Sequence, residues 1–119
     1  MADPLHTTGL DHVVLRCRDT AASRDFYVNV LGMRVAHESE AYVFLRCGGQ
    51  TLALFRSAEG LPSGRLEMDH VAFTVGESFD DTLARLDAHG IGVETRAGDP
   101  RCIYLGDPDG HRIQILASG

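Results

Sequence analysis

Apolar residues in this chain follow two periods that take turns. In "LDHVVLRC", residues 10–17, Val13, Leu15 and Cys17 fall on one side of an extended chain, and Leu10, His12, Val14 and Arg16 on the other. That period of two predicts a strand. The next segment, "DTAASRDFYVNVLG", changes to helical spacing, with Asp19 placed to cap it and Gly32 to stop it. Short alternating runs follow at about 33–38, 41–47 and 50–56, the last two joined by the Gly48-Gly49 pair of a hairpin. The cycle then repeats. A strand at 67–75 leads into "SFDDTLARLDAHG", with Ser78 as cap, Phe79, Leu83 and Leu86 as the buried stripe, and Gly90 as stop. Strands at about 91–96, 101–106 and 111–117 close it, with "DPDG" as a turn between the last two.

The repetition extends to residue types. "GLDHVVLRC" returns as "EMDHVAFTV", so that His70 lies 58 positions after His12, and Gly90 lies 58 after Gly32. At an offset of 60, rising to 61 with one inserted residue, "YVFLRCGGQTLALF" overlies "CIYLGDPDGHRIQIL". The chain therefore reads as one α+β domain, 1–119, built from two βαβββ pseudo-repeats at about 8–57 and 66–117. The Gly/Ser/Pro-rich segment 57–66 joins them. A unit of about 55 residues covers its own sheet poorly. Two units side by side are expected to form a curved mixed sheet with helices outside and a cleft between.

Strand parity then decides which residues face that cleft. If Val13 and Leu15 pack under the helices, His12, Val14 and Arg16 face away from them. The same rule turns His70, Ala72 and Thr74 to the open side, and in the last strand Arg112, Gln114 and Leu116. Two imidazoles and a carboxamide thus aim at a shared hollow. Three neutral donors with open positions beside them suit a catalytic divalent ion, whose identity (Zn, Ni, Mn or Fe(II)) the residues leave open. A lone histidine at a strand start is more often a packed rim residue; the pairing at repeat-equivalent positions is what favours a metal.

Composition narrows the setting. The formal net charge is −6, which disfavours nucleic acid and anionic membranes as partners. No apolar run approaches the 18 or so residues of a membrane span. All eleven basic residues are arginine, which excludes a Schiff-base lysine. The three cysteines, Cys17, Cys47 and Cys102, are an odd number without close spacing, as expected of reduced thiols in a cytoplasmic protein. Cys17 and Cys47 read as small buried hydrophobes, and Cys102 as a residue near the cleft rim. Arg16, Arg46, Arg56, Arg101 and Arg112 are candidates for holding an anionic substrate. Tyr104, Glu38 and Glu67 are candidate acid–base or orienting groups. His111, after the "DPDG" turn, reads as exposed, as do His6, His37 and His89.

The duplicated pattern, the opening "LDHVVLRCRDTAASRDFYVNVLGMRV" and the closing "YLGDPDGHRIQIL" resemble the vicinal oxygen chelate superfamily, from about Leu10 to Leu116. That group includes glyoxalase I, extradiol dioxygenases, fosfomycin-resistance thiol transferases, methylmalonyl-CoA epimerase and bleomycin-binding proteins. The resemblance implies a metal at His12, His70 and Gln114, and a homodimer completed across edge strands. Two departures bear on chemistry. Glutamine stands at 114 where the family most often has glutamate, and Ala53, its repeat mate, cannot ligate. Proton abstraction of the glyoxalase or epimerase kind thereby loses both carboxylate positions. Extradiol cleavage loses the carboxylate of its facial triad and has no histidine near "VETRAGDP". Addition of a thiol or water to a chelated electrophile, on a small oxygenated metabolite or antibiotic, is the reaction the residues suit best. The rival reading is a metal-free protein that sequesters a small molecule, against which stands a cleft expected to hold few aromatics.

Overall fold

The computed structural model describes residues 2–57 and 69–118. The first module runs β1 (His12–Cys17), α1 (Thr20–Asn29), β2 (Arg34–Glu38), β3 (Tyr42–Cys47) and β4 (Gln50–Arg56). The second runs β5 (Val71–Ser78), α2 (Phe79–Ala88), β6 (Glu94–Arg96), β7 (Asp99–Gly106) and β8 (Arg112–Ser118). Each element stands where the periodicity placed it, to within a few residues; β5 is shifted most, starting four residues later and running directly into α2. The linker 57–66 lies outside the described residues apart from Ser57.

Local chemistry accounts for the helix limits. Asp19 Oδ1 accepts from the Ala21 and Ala22 amides at 2.9 and 3.3 Å, and Ser78 Oγ accepts from the Asp81 amide at 3.2 Å. Gly32 and Gly90 follow the two helices with φ of 74° and 73°, the left-handed conformation that ends a helix at low cost only without a Cβ.

The strands form two four-stranded sheets, ordered β1-β4-β3-β2 and β5-β8-β7-β6, with β1–β4 and β5–β8 parallel and the other pairs antiparallel. The expectation of one continuous curved sheet is refined here: among the described residues no ladder joins β1 to β5. A small cavity of about 130 Å³ between the two edges is bordered by His12 and Val13 on one side and Val71, Ala72 and Phe73 on the other.

One face of each sheet is covered by the helices and carries the core. Leu15, Leu45, Leu52 and Leu54 from the first module, with Ile103, Leu105, Ile113 and Ile115 from the second, belong to one buried cluster that also takes in Phe26, Tyr27 and Leu86. The opposite, open faces alternate with it, as β1 (His12, Val14 and Arg16 exposed; Leu15 and Cys17 buried) and β8 (Ile113, Ile115 and Ala117 buried) show.

The modules are fastened by the "DPDG" turn. Tyr27 of α1, fully buried, donates its hydroxyl proton to Asp107 Oδ2 at 2.7 Å. Asp107 Oδ1 accepts from the amides of Asp109 and His111, both at 2.9 Å. Asp109, whose side chain is 4% exposed, accepts from the Arg18 amide and guanidinium and from Ser23 Oγ. His111 donates from Nε2 to the Arg16 carbonyl at 2.6 Å and is 7% exposed. The expectation that His111 is exposed is therefore corrected. The turn is exposed in sequence terms, but the first module covers it.

Candidate functional site

Both histidines sit at the start of the first strand of their module, on the open side. His12 opens β1; His70 immediately precedes β5. Their side chains are 45% and 39% exposed, and each ring is held in the same way. His12 Nδ1 lies 2.7 Å from Asp11 Oδ2, and His70 Nδ1 lies 2.7 Å from Asp69 Oδ1. A carboxylate oxygen only accepts, so Nδ1 carries the proton of the neutral ring and Nε2 keeps its lone pair. A carboxylate behind an imidazole in this way fixes ring and tautomer for metal ligation. The repeated Asp-His dipeptide was the sequence signal for it.

Register places the third candidate. Ala72, two residues after His70, pairs with Gln114 across β5 and β8, and Tyr104 pairs with Gln114 across β7 and β8. Gln114 therefore shares the open face with His70, Ala72 and Tyr104. Its Nε2 donates to Cys102 Sγ at 2.9 Å, which leaves the carboxamide oxygen as the unspent donor atom. Cys102, expected near the rim, is fully buried beneath this face. Two imidazole nitrogens and one amide oxygen are a neutral donor set of the kind that suits a divalent ion. Among the described residues no three or more His, Cys, Asp and Glu side chains are grouped so as to hold a metal ion by themselves.

Tyr104 is the best-connected group on this face. Its ring centroid is 6.3 Å from that of His70, edge to face. The Arg112 guanidinium lies over the ring at 4.1 Å, the Arg96 guanidinium at 5.5 Å, and Arg96 Nη2 donates to the hydroxyl at 3.2 Å. Hydrogen bonding to the Cys102 thiol, followed by slight burial, raises the phenol's pKa against the lowering from the two arginines. It is a hydroxyl to donate or orient with, not a phenolate base.

The remaining candidates separate. Arg16 and Arg46 stand on the open face of the first sheet, Arg46 donating to Thr51 Oγ1 at 2.7 Å. Arg112 is on the open face of the second. Arg101 is a correction: it shares parity with Ile103, and its Nε donates to the Ala117 carbonyl at 2.7 Å, so its charge is tied to the strand edge. Glu38 is a second correction. It pairs with the buried Val43 and accepts from Arg24 of α1 at 2.9 Å, which turns it to the helix side. Glu67 lies outside the described residues.

The chain matches the sequence profile of the Glyoxalase/Bleomycin resistance protein/Dioxygenase superfamily over residues 9–115, and it belongs to that family. It is similar to the metallothiol transferase FosB of Staphylococcus haemolyticus, 27% identical over 90% of this chain and 81% of that protein. The FosB of Staphylococcus saprophyticus is 31% identical over 89% of this chain and 74% of its own length. Biphenyl-2,3-diol 1,2-dioxygenase 3 of Rhodococcus globerulus is 31% identical, with 92% of this chain covering 63% of it. Among solved structures, a glyoxalase family protein from Bacillus anthracis superposes with a TM-score of 0.79 at 25% identity, covering 98% of this chain and 100% of that one. Lactoylglutathione lyase from Agrobacterium tumefaciens, at 24% identity and TM-score 0.75 over 94% and 95% of the two chains, shares the fold. No helix among the described residues is long and apolar enough to cross a membrane.

Proposed function

We propose that this protein is a divalent-metal-dependent enzyme that adds a thiol or water to a small oxygenated or electrophilic metabolite or antibiotic. The observation that carries the reading is the matched pair of Asp-backed histidines, one leading each module, with Nε2 free in both. His12, His70 and the Gln114 oxygen are the residues to hold the ion. A bound ion would supply Lewis acidity, polarising an oxygen of the substrate. The chain's own residues do the rest: Asp11 and Asp69 hold the imidazole tautomers, Cys102 turns the Gln114 oxygen outward, and Tyr104, with Arg112 against its ring, offers a hydroxyl to orient or protonate a substrate oxygen. The relatives named metallothiol transferase favour this reaction over others in the family.

A homodimer belongs to the same proposal. The radius of gyration is 15.7 Å, against about 13.5 Å for a compact chain of this length. The accessible surface is 7924 Å², against about 6,300 Å² for a compact monomer of this mass. A second copy laid against the two open faces would bury surface that the single chain leaves exposed. Light scattering should return twice the 12.9 kDa chain mass.

Metal content tests the main claim. Tag-free protein should take up about one equivalent of Zn²⁺, Mn²⁺ or Ni²⁺ per site by elemental analysis, and His12→Ala and His70→Ala should each lower that affinity at least tenfold. Protein that takes up none, and whose ligand binding survives both substitutions, would be the metal-free sequestering type.

A further inference from the structure

The open face of the first sheet carries a feature that the metal site does not need. Tyr42, Phe44 and Phe55, from β3 and β4, form a contiguous group of rings. Tyr42 and Phe44 lie 5.1 Å apart edge to face, Phe44 and Phe55 6.1 Å apart edge to face, and Tyr42 and Phe55 5.9 Å apart, tilted. All three are only half-buried. Their neighbour Ala53, paired with Phe44, is fully buried, because the rings lie across it. His37 closes the outer side, its Nε2 3.1 Å from the Tyr42 hydroxyl. His12 of the proposed metal site stands on the same face, on β1.

Charge is the second observation. Strand parity and register put Arg16, Arg34 and Arg46 on this face, with Arg16 paired to Phe55 and Arg34 to Arg46. In the four strands the sole carboxylate is Glu38, and it is bound to Arg24 on the helix side. In a chain of net charge −6, the strands of this sheet thus place three guanidiniums and no carboxylate on the face that carries the aromatic rings. Neither Arg16 nor Arg34 has a side-chain partner among the described residues. Unpaired guanidiniums at the rim of half-buried rings are the complement of a ligand with a flat apolar body and an anionic group.

We propose that the substrate bound here is an aromatic or planar conjugated anion, its ring on Tyr42, Phe44 and Phe55 and its negative group toward Arg16, which the register sets level with Tyr42 and Phe55. This assignment rests on the reading that the open faces form the site, and it names the substrate class for it. The sequence reading expected few aromatics in the cleft; four of the eight in the chain stand on open faces, counting Tyr104.

The test uses the whole protein and three probes: 2-naphthoate, its fully saturated decahydro analogue, and neutral 2-naphthylmethanol. Titrations by NMR are run with the metal stripped by chelator and again with Zn²⁺ added. The expected result is 2-naphthoate binding in the chelated protein at least threefold tighter than the saturated acid, and at least tenfold tighter than the alcohol. Phe44→Leu, which keeps bulk, should abolish the ring preference while leaving the charge preference. Arg16→Gln should do the reverse, and Phe55→Leu serves in place of Phe44→Leu if that variant is unfolded. Equal affinity for the flat and saturated acids, or a ring preference that survives both leucine substitutions, would overturn the assignment. Because ring and charge preferences are read without metal, and metal uptake separately, failure of one reading is distinguishable from failure of the other.

Discussion

Removing a single oxygen atom at Tyr27 should loosen the attachment between modules. Tyr27 is fully buried, and its hydroxyl donates to the Asp107 carboxylate across 80 positions of sequence at 2.7 Å. Burial first, and the Asp107 charge second, push its ionisation far above the ordinary tyrosine range, so the group is a phenol donor at every pH of interest. Tyr27→Phe keeps the ring, and with it the edge-to-face contacts to Phe26 and Phe73 at 5.1 and 6.4 Å. What is lost is one hydrogen bond to a charged acceptor, about 1.5–3 kcal/mol. Asp107 keeps two backbone amide donors, which argues for the lower half of that range. With an unfolding entropy of about 2.1 cal/mol/K per residue, each kcal/mol is worth about 4 °C in a chain of this size. Tm should therefore fall by about 6–9 °C at fixed protein concentration, with an unchanged urea m-value. Asp107→Ala should cost more, and in the double variant the Tyr27→Phe cost should shrink to near zero. A loss under about 2 °C, or full additivity, would show that the Tyr27–Asp107 contact does not hold the modules together.

Two further expectations follow from local chemistry. Cys17, fully buried, has its thiol pKa raised from 9.0 to about 11, by burial first and the Asp109 charge second. Since the folded value exceeds the unfolded one, this stabilisation is complete below pH 9 and is lost as pH rises through about 11. Urea titrations at pH 8, 9.5 and 10.5 should show stability falling, Cys17→Ala should flatten the decline, and Cys17 should resist alkylation at pH 8; an unchanged slope would refute it. Asp19→Ala removes the acceptor for the first amides of α1 and should cost about 1 kcal/mol, while Asp19→Ser restores most of it.

Much of the architecture was legible because it depends on local periods. A period of two assigned the faces of β1, β5 and β8 without reference to any partner strand, so His12, His70 and Gln114 were placed on open faces from sequence alone. Cap residues and the glycines at 32 and 90 fixed the helix ends for the same reason: their energetics act within one turn. The Asp-His dipeptides were visible too, and in the structure each aspartate lies within hydrogen-bond distance of the Nδ1 of its histidine. Register and long-range packing were not visible. Glu38 and Arg101 passed every compositional test for a site residue, and each lost its place to a partner that only folding brings near, Arg24 and the Ala117 carbonyl.

What the amino-acid order determined by itself is the duplicated module and the side of the sheet each residue takes, because alternation and capping need only near neighbours. Tertiary structure decided which open-face residues touch. It set Tyr42, Phe44 and Phe55 into one group across two strands, buried Cys102 beneath Gln114, and enclosed His111 and the "DPDG" aspartates against α1. Those contacts depend on strand register and on the docking of one module against the other. Both are settled by cooperative packing over many residues, and no short stretch of sequence encodes them.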